Sequence, residues 1–582
     1  MRRSLLMTPM LLIASPGYAD SSVDPAKRDD IRPRQEVAQK ASNYQIDASP
    51  HQVARVKSVP VDTQRRDRNA VAVTPLEFAS VQGLRQQLTG GAPTVRSVTE
   101  HFLDRIARLD QSGPRVNSVI EINPDAMEIA RTLDSSPRSS AGRGLFYGIP
   151  ILIKDNIDTG DRMQTTTGSL ALVGVPAPRD APLVAKLRQA GAVILGKTNT
   201  SEWANFRSGD STHGWSARGG LTRNPHVLDR SACGSSSGSA AAVAAGFATV
   251  AIGTETDMSI VCPSSVNGVV GIKPTLGLVS RTGIIPISRH QDTAGPIARS
   301  VADAAAVLSV IAGSDPQDPA TIEADRHATD YTQFLDPGAL AGKRIGVVRG
   351  LMRRRRPDPN VDRVLDHTIA VLRARGAIVI DSVTIPHVGD FGYAEMTVLS
   401  YDFKHDLNAY LATRKGMKVS NLADLIAYNN ADAGREMSWF GQNLFIDAQA
   451  KGPPTDEAYL DALAKAKRLS GPDGIDAVMK EHELDALLTS TTGPAWTIDL
   501  VNGDRMSGSS SSPAAVSGYP SISVPAGFIH CLPVGVSFFG GKWSEPTLIG
   551  ISYAFEQATH ASRRPQFLKS VAECAQLNPP EA

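Results

Sequence analysis

The segment Cys233-Gly234-Ser235-Ser236-Ser237-Gly238-Ser239 is followed by the alanine-rich Ala240–Ala248, by Val250–Ile252, and by Gly253-Thr254-Glu255-Thr256-Asp257-Met258-Ser259. Alanine is the strongest helix former, so the second piece predicts a helix. The short apolar run after it predicts a buried strand. Glycines and serines at the strand ends of an α/β sheet lie where loops meet ligands. The segment therefore predicts two polar loops next to one helix–strand unit.

Further apolar runs along the chain predict more strands buried on both faces, and helical stretches separate many of them. Val98, Phe102, Ile106 and Leu109, for example, recur at the spacing of an amphipathic helix. This alternation is typical of a largely parallel sheet wrapped by helices, and we expect one large α/β domain over residues 71–582. The predicted strands are Ile149–Ile153, Ala192–Leu195, Val250–Ile252, Ile345–Val348 and Ala377–Ile380.

Composition excludes some classes of protein. Lys and Arg number 60 against 59 Asp and Glu, a balance that argues against a nucleic-acid or polyanion partner. Four cysteines are too few for a disulfide scaffold, and their spacing does not say whether they pair. Neither a His-Glu-x-x-His nor a Cys-x-x-Cys pattern occurs, so we expect no metal and no cofactor.

The first residues resemble an export signal. Arg2 and Arg3 precede the apolar Leu5–Ala14, and Gly17-Tyr18-Ala19 forms a small-x-small cleavage site. The apolar run is too short to span a bilayer, so we expect a signal peptide over residues 1–19 and a periplasmic or secreted protein, with an uncleaved anchor as the alternative. Residues 20–70 are rich in charge, Ser and Pro, which predicts a disordered linker.

Two motifs point to other chemistries. Gly191–Thr198 matches the phosphate-loop pattern, but its residues between the glycines form the apolar strand itself, which disfavours nucleotide binding. Gly234–Gly238 matches the G-x-S-x-G nucleophile elbow with Ser236 as nucleophile, yet loop chemistry precedes it where an elbow needs a strand. A Ser-His-Asp enzyme remains an alternative.

Lys154 directly follows the apolar strand Ile149–Ile153, and a lysine at the tip of a buried strand is costly unless it is paired or neutral. Taken with the two serine-bearing loops and Gly271-Ile272-Lys273-Pro274-Thr275, the order of motifs resembles the amidase signature family, and within it bacterial peptide amidases. The resemblance spans roughly residues 76–565. It implies an α/β fold with a large mixed, mostly parallel central sheet wrapped by helices on both faces.

The resemblance also implies roles for individual residues. Ser259 is the nucleophile, Ser235 the bridging serine on a cis peptide bond with Gly234, and Lys154 the base. Backbone N–H groups of Thr256, Asp257, Met258 and Ser259 would stabilise the oxyanion. A lysine accepts a proton only when neutral, which burial favours.

Met258 departs from the family pattern, which has glycine immediately before the nucleophile. Glycine there permits a positive φ and a close approach by the substrate. Methionine would cost about 1 kcal/mol or more if φ is positive. Three outcomes are open: an altered acyl pocket, a rebuilt loop, or loss of activity.

The resulting hypothesis is a serine amidohydrolase, acting through an acyl-enzyme, that deamidates C-terminal peptide amides. Alternatives are an aryl or acyl amidase acting on anilides or small amides, and an amide-binding homologue whose catalytic activity is weakened by Met258. The export signal disfavours the subunit that amidates misacylated tRNA, and the lack of a membrane-docking helix disfavours fatty-amide hydrolysis. We expect a monomer that takes a small-molecule or peptide amide, without a membrane span.

Overall fold

The computed structural model of the chain describes residues 75–136, 144–351 and 358–574. The predicted signal peptide over residues 1–19 and the predicted linker over residues 20–70 lie outside the described residues. No helix among the described residues is long and apolar enough to cross a membrane.

The helices follow the chain from the amphipathic pair near its start to a long helix near its end. They are α1 (Val81–Thr89), α2 (Val95–Arg105), α3 (Ala126–Ser135), α4 (Pro182–Gln189), α5 (Ser237–Ala244), α6 (Val261–Asn267), α7 (Val301–Ile311), α8 (Pro359–Ala374), α9 (Gly392–Thr413), α10 (Leu422–Ala431), α11 (Ala433–Glu436), α12 (Asn443–Gln449), α13 (Glu457–Ser470), α14 (Ala477–Glu481), α15 (Ser512–Ser517) and α16 (Glu545–Thr559).

The strands form one large sheet and one small hairpin. They are β1 (Val119–Ile122), β2 (Pro150–Lys154), β3 (Val193–Thr198), β4 (Trp215–Ser216), β5 (Gly220–Leu221), β6 (Val250–Glu255), β7 (Val270–Lys273), β8 (Thr293–Ala298), β9 (Arg344–Val347), β10 (Ile378–Asp381), β11 (Ala486–Ser490), β12 (Ser521–Ile529) and β13 (Leu532–Phe539).

The described part of the chain holds a mixed sheet of 11 strands in the order β1-β3-β2-β6-β8-β7-β12-β13-β11-β9-β10. Parallel pairs lie in two blocks, β3-β2-β6 and β11-β9-β10. The strands between the blocks pair antiparallel, as does β1 at its edge. The predicted α/β class and large mixed sheet are confirmed, and the expected parallel pairing holds within each block.

Helices cover the sheet in two packed groups. Helices α5 and α6 contact one another, and between them they contact β2, β3, β6, β7, β8, β12 and β13. A second group, α7, α16 and α8, contacts many of the same strands. Strand β6 is buried along its whole length because both faces of the sheet are covered.

The helix predicted from the spacing of Val98 is present as α2. Thr94 caps α2 by accepting from the backbone N–H of Ser97, whose side chain accepts in return from the Thr94 N–H. Val98, Phe102 and Ile106 are fully buried on one face. The apolar spacing therefore identified both the helix and its buried side.

The five predicted strands are present as β2, β3, β6, β9 and β10. Burial on both faces is wrong for β10, where Ile378 is 49% exposed. This strand is the edge of the sheet and pairs on one side only, with β9. An apolar run cannot distinguish an edge strand from a central one, because that depends on which strands pair.

Pairing of β2 with β6 brings the candidate residues together. The two strands are parallel neighbours, with Ile153 opposite Ile252. Their carboxyl ends therefore meet at one edge of the sheet, where Lys154 ends β2 and Thr254-Glu255 ends β6. Helix α5 precedes β6 and packs on it, so the Ser235 loop at the start of α5 reaches the same edge.

We predict that Gly295→Ala destabilises the fold, because a Cβ on Gly295 of β8 would lie 2.0 Å from the carbonyl oxygen of Ile272. Overpacking of this kind costs about 1–3 kcal/mol. Urea unfolding would measure it. The matched control is Gly434→Ala in α11, where a Cβ meets nothing within 4 Å. The control should leave stability unchanged or raise it by up to about 1 kcal/mol. Equal effects at both positions would contradict the packing argument.

Candidate active site

Lys154 is fully buried at the end of β2, and its amine has three polar neighbours. Its Nζ lies 2.7 Å from Ser235 Oγ, 2.8 Å from Thr254 Oγ1 and 3.2 Å from the Thr254 carbonyl oxygen. The Asn156 amide also donates to Thr254 Oγ1, at 3.0 Å. The lysine is thus held in a fixed position against Ser235.

Burial lowers the pKa of Lys154 to about 7, against the opposing pull of the Asp292 and Glu255 carboxyls. A neutral amine has two N–H donors and one lone pair, which matches the three neighbours. The two donors can serve the two Thr254 oxygens, and the lone pair can then accept the Ser235 hydroxyl proton. The arrangement suits a lysine that acts as a base.

Ser235 is fully buried, and its peptide bond with Gly234 is cis, as the resemblance implied. Its carbonyl oxygen accepts from the Ser201 backbone N–H at 3.1 Å and from the Thr200 hydroxyl at 2.9 Å. These contacts hold the backbone of the loop and leave the Ser235 hydroxyl directed at Lys154.

Ser236, the nucleophile of the elbow alternative, is occupied elsewhere. It precedes α5 and is fully buried. Its hydroxyl donates to the Thr254 carbonyl at 3.0 Å and accepts from the Thr254 N–H at 3.2 Å. A loop rather than a strand precedes it, so the geometry of a nucleophile elbow is not formed. Ser236 instead joins the two loops.

Ser259 lies on the loop between β6 and α6. Its carbonyl oxygen accepts from the Ser236 N–H at 3.2 Å, and its hydroxyl donates to the Asp257 carbonyl at 3.4 Å. The Glu255 carboxylate closes the base of this loop by accepting from the N–H groups of Ile260 at 2.6 Å and Val261 at 3.0 Å. The second serine-bearing loop is therefore anchored at both ends beside the first.

The loop presents backbone donors. The N–H groups of Thr256, Asp257, Met258 and Ser259, which the resemblance implied as oxyanion donors, donate to no acceptor within the described residues. Met258 has φ +62°, and a left-handed residue in a turn directs successive N–H groups into one concavity that suits an anion. This is the property required of an oxyanion hole.

Met258 retains the backbone conformation that glycine would adopt. Its side chain packs against an apolar cluster that contains Cys233, Cys262 and Trp496. The loop therefore keeps a positive φ with methionine in place. It tolerates the positive φ, at a cost of about 1 kcal/mol or more, and the thioether contributes packing.

Side chains from elsewhere hold the same loop. The Thr256 hydroxyl donates to Asp292 at 2.6 Å. The Asp257 carboxylate accepts from the hydroxyls of Ser511 and Ser512. Each of these contacts joins residues that are far apart in sequence. The spacing of motifs therefore could not predict them.

Two disulfides account for all four cysteines. Cys233 pairs with Cys262, and Cys531 pairs with Cys574. The first links the residue before Gly234 to the first turn of α6, three residues after Ser259. It therefore joins the two serine-bearing loops covalently, which sequence alone left undecided.

The phosphate-loop pattern folds as the predicted strand. Lys197 lies within β3 and is fully buried, and its amine donates to the Ile157 carbonyl and to Thr165 Oγ1. A phosphate cradle needs a loop between its glycines, and here that stretch is sheet. Among residues 75–136, 144–351 and 358–574, no three His, Cys, Asp or Glu side chains are grouped to hold a metal ion.

Comparison with known proteins agrees with this geometry. A sequence profile of the amidase family matches residues 97–549. The structure of native peptide amidase from Stenotrophomonas maltophilia is 52% identical, with a TM-score of 0.80, over 85% of this chain and 100% of that one. A probable amidase from Arabidopsis thaliana is 42% identical over 503 residues, 85% of this chain and 92% of the relative. A bacterial aryl acylamidase is 25% identical, with a TM-score of 0.70, over 88% of this chain and 100% of that one.

We predict that Met258→Ala is less stable than Met258→Gly by about 1 kcal/mol. Both variants lose the thioether packing, but alanine retains the Cβ that a positive φ disfavours. Met506 packs against the same cluster without a positive φ, so there the alanine variant should be the more stable one. Urea unfolding of the four variants tests this order, and the same order at both positions would contradict it.

Proposed function

Since this chain belongs to the amidase signature family and is an amide-hydrolysing enzyme, we propose that it works through Ser259, Ser235 and Lys154 and deamidates C-terminal peptide amides. One observation carries the proposal: the buried Lys154 amine lies 2.7 Å from Ser235 Oγ, with three neighbours that suit its neutral form. A neutral lysine is the feature that serine activation without histidine requires.

The first step is attack by Ser259. Its hydroxyl turns from the Asp257 carbonyl to Ser235, and its oxygen bonds to the carbonyl carbon of the substrate. The Ser259 proton passes to Ser235 Oγ while the Ser235 proton passes to Lys154 Nζ. The carbonyl oxygen becomes an oxyanion, which the N–H groups of Thr256, Asp257, Met258 and Ser259 stabilise. Loss of one such donor typically costs about 3–4 kcal/mol of transition-state stabilisation.

The second step breaks the C–N bond. Lys154 returns its proton through Ser235 to the leaving nitrogen, which departs as ammonia when the substrate is a primary amide. Water then attacks the Ser259 ester, and the same relay takes up its proton and returns one to Ser259. The products are a carboxylic acid and ammonia, and the enzyme is regenerated.

The substrate class rests on likeness to relatives. Identity to the peptide amidase is 52% across nearly all of that chain, against 25% to the aryl acylamidase. The favoured substrate is therefore a peptide with a C-terminal carboxamide. Anilides and small amides are the second candidate, because the same relay serves any leaving nitrogen.

We predict ammonia release from an amidated dipeptide by the wild type, and its loss in Ser259→Ala. The matching anilide is run in parallel. Ammonia release supports peptide amides, and anilide turnover alone would favour an aryl amidase.

Covalent labelling by a serine-directed fluorophosphonate supplies the control. The wild type should label and Ser259→Ala should not. Ser236→Ala should still label, because the Ser236 hydroxyl serves the Thr254 backbone. A wild type that neither labels nor turns over amides would contradict the amidase proposal and favour the amide-binding alternative. Recovery of labelling in Met258→Gly would then assign the loss of activity to Met258.

We also propose that the protein is exported. The two disulfides support this, because such bonds persist in oxidising compartments. Osmotic-shock fractionation of a bacterial host followed by intact-mass analysis tests it. We expect the periplasmic fraction to hold a chain that begins at Asp20. A full-length chain confined to the cytoplasm would contradict export.

A further inference from the structure

Glu395 is a buried carboxyl for which the proposed mechanism has no use. It lies in the first turn of α9 and is 8% exposed. Its neighbours are Gln291, whose amide donates to Glu395 Oε1 at 3.0 Å, and the side chain of Asp257, whose charge acts on the Glu395 carboxyl. Gln291 also donates to the Thr256 carbonyl at 3.3 Å. Gln291 thus links the Glu395 carboxyl to the loop that holds Thr256, and the Asp257 side chain of the same loop lies beside that carboxyl.

We propose that Glu395 is a positioning residue that holds the loop Thr256–Ser259 in its working shape, as a protonated acid that donates to Asp257. This rests on the proposed function, in which the same loop is the oxyanion hole. Two adjacent carboxyls can share a hydrogen bond only when one carries a proton. The Asp257 carboxylate already accepts from Ser511 and Ser512, so Glu395 is the acid that carries the proton.

Electrostatics supports this assignment. Burial and the nearby Asp257 charge raise the pKa of Glu395 to about 8. Asp257 is the charged group that faces Glu395, and Gln291 is neutral. Several ionisable groups elsewhere on α9 and on α13, which packs against it, are engaged with other partners. Tyr459 donates to Asp402, Asp406 pairs with Arg289, Tyr401 donates to Asp456, and Lys467 donates to the carbonyls of His290 and Val516.

The pH dependence then has two limbs. Below about pH 7 Lys154 is an ammonium without a lone pair, so kcat/KM should rise as pH increases through about 7. Above about pH 8 Glu395 loses its proton, the donor to Asp257 is lost and two carboxylates repel each other, so kcat/KM should fall. A narrow bell-shaped profile follows.

Substitutions of Glu395 distinguish a positioning role in catalysis from a purely structural role in the fold. Glu395→Gln keeps an N–H donor for Asp257 and an oxygen for Gln291, so kcat at the optimum should stay within about threefold while the alkaline limb disappears and the acid limb stays. Glu395→Ala loses both contacts, and a displaced loop should lower kcat by about 100-fold. The control is Glu556→Gln in α16, a carboxyl whose pKa burial raises to about 7 and which accepts from the Val301 N–H away from the loop. It should leave both limbs unchanged.

Fluorophosphonate labelling of Ser259 against pH repeats the test without an amide substrate. An alkaline limb that persists in Glu395→Gln, or wild-type kcat in Glu395→Ala, would overturn the positioning role while leaving the proposed function intact. Failure of the wild type to label at any pH would instead overturn the proposed function.

Unfolding measurements test the proton on Glu395 even without activity. A carboxyl whose pKa is raised by folding binds its proton more tightly in the folded state. The free energy of unfolding therefore falls as the pH rises from the ordinary pKa of a glutamic acid to the folded-state pKa of about 8. Glu395→Gln removes that contribution, so its unfolding free energy relative to wild type should increase from pH 5 to pH 8. A constant difference would mean that Glu395 is ionised in the fold and would overturn the proposal.

Discussion

Burial of one amine at the end of a strand is the constraint on which the site depends. Lys154 is fully buried, and keeping its amine charged there would cost a large amount of free energy. Burial therefore favours the neutral amine. Its three neighbours satisfy a neutral amine, one of them being the Ser235 hydroxyl. The parallel pairing of β2 with β6 creates this environment, because it places Thr254 beside the lysine. The environment that favours a neutral Lys154 is therefore a consequence of sheet topology.

The second constraint is the conformation of the loop that follows β6. Glu255 closes its base through two N–H groups at the start of α6. The positive φ of Met258 directs the loop N–H groups into one concavity, and the Cys233–Cys262 disulfide ties the loop to its neighbour. Methionine is accommodated in this geometry because its side chain packs against an apolar cluster, and that packing offsets part of the cost of the positive φ.

A layer of distant side chains supports the loop in turn. Asp292, Gln291 and Glu395 contact Thr256 and Asp257 directly or through one another. In the mechanism and the positioning role that we propose, Lys154 must be neutral and Glu395 must be protonated, and these two conditions define the pH range of activity. The range is narrow because burial moves the pKa of both groups toward neutrality.

The local sequence pattern predicted the strands, the amphipathic helix at Val98 and the strand that forms where the phosphate-loop pattern matches. These features were predictable because side-chain periodicity and backbone propensity act within a few residues. Motif order also pointed to Lys154 and Ser235, whose side chains meet in the structure. Edge position of β10, the cysteine pairs, the sign of φ at Met258 and the contacts of Glu395 required the folded chain. Each of these features depends on which distant segments of the chain pack together. A local stretch of residues does not contain that information, and the pKa shift of a buried group depends on the same packing.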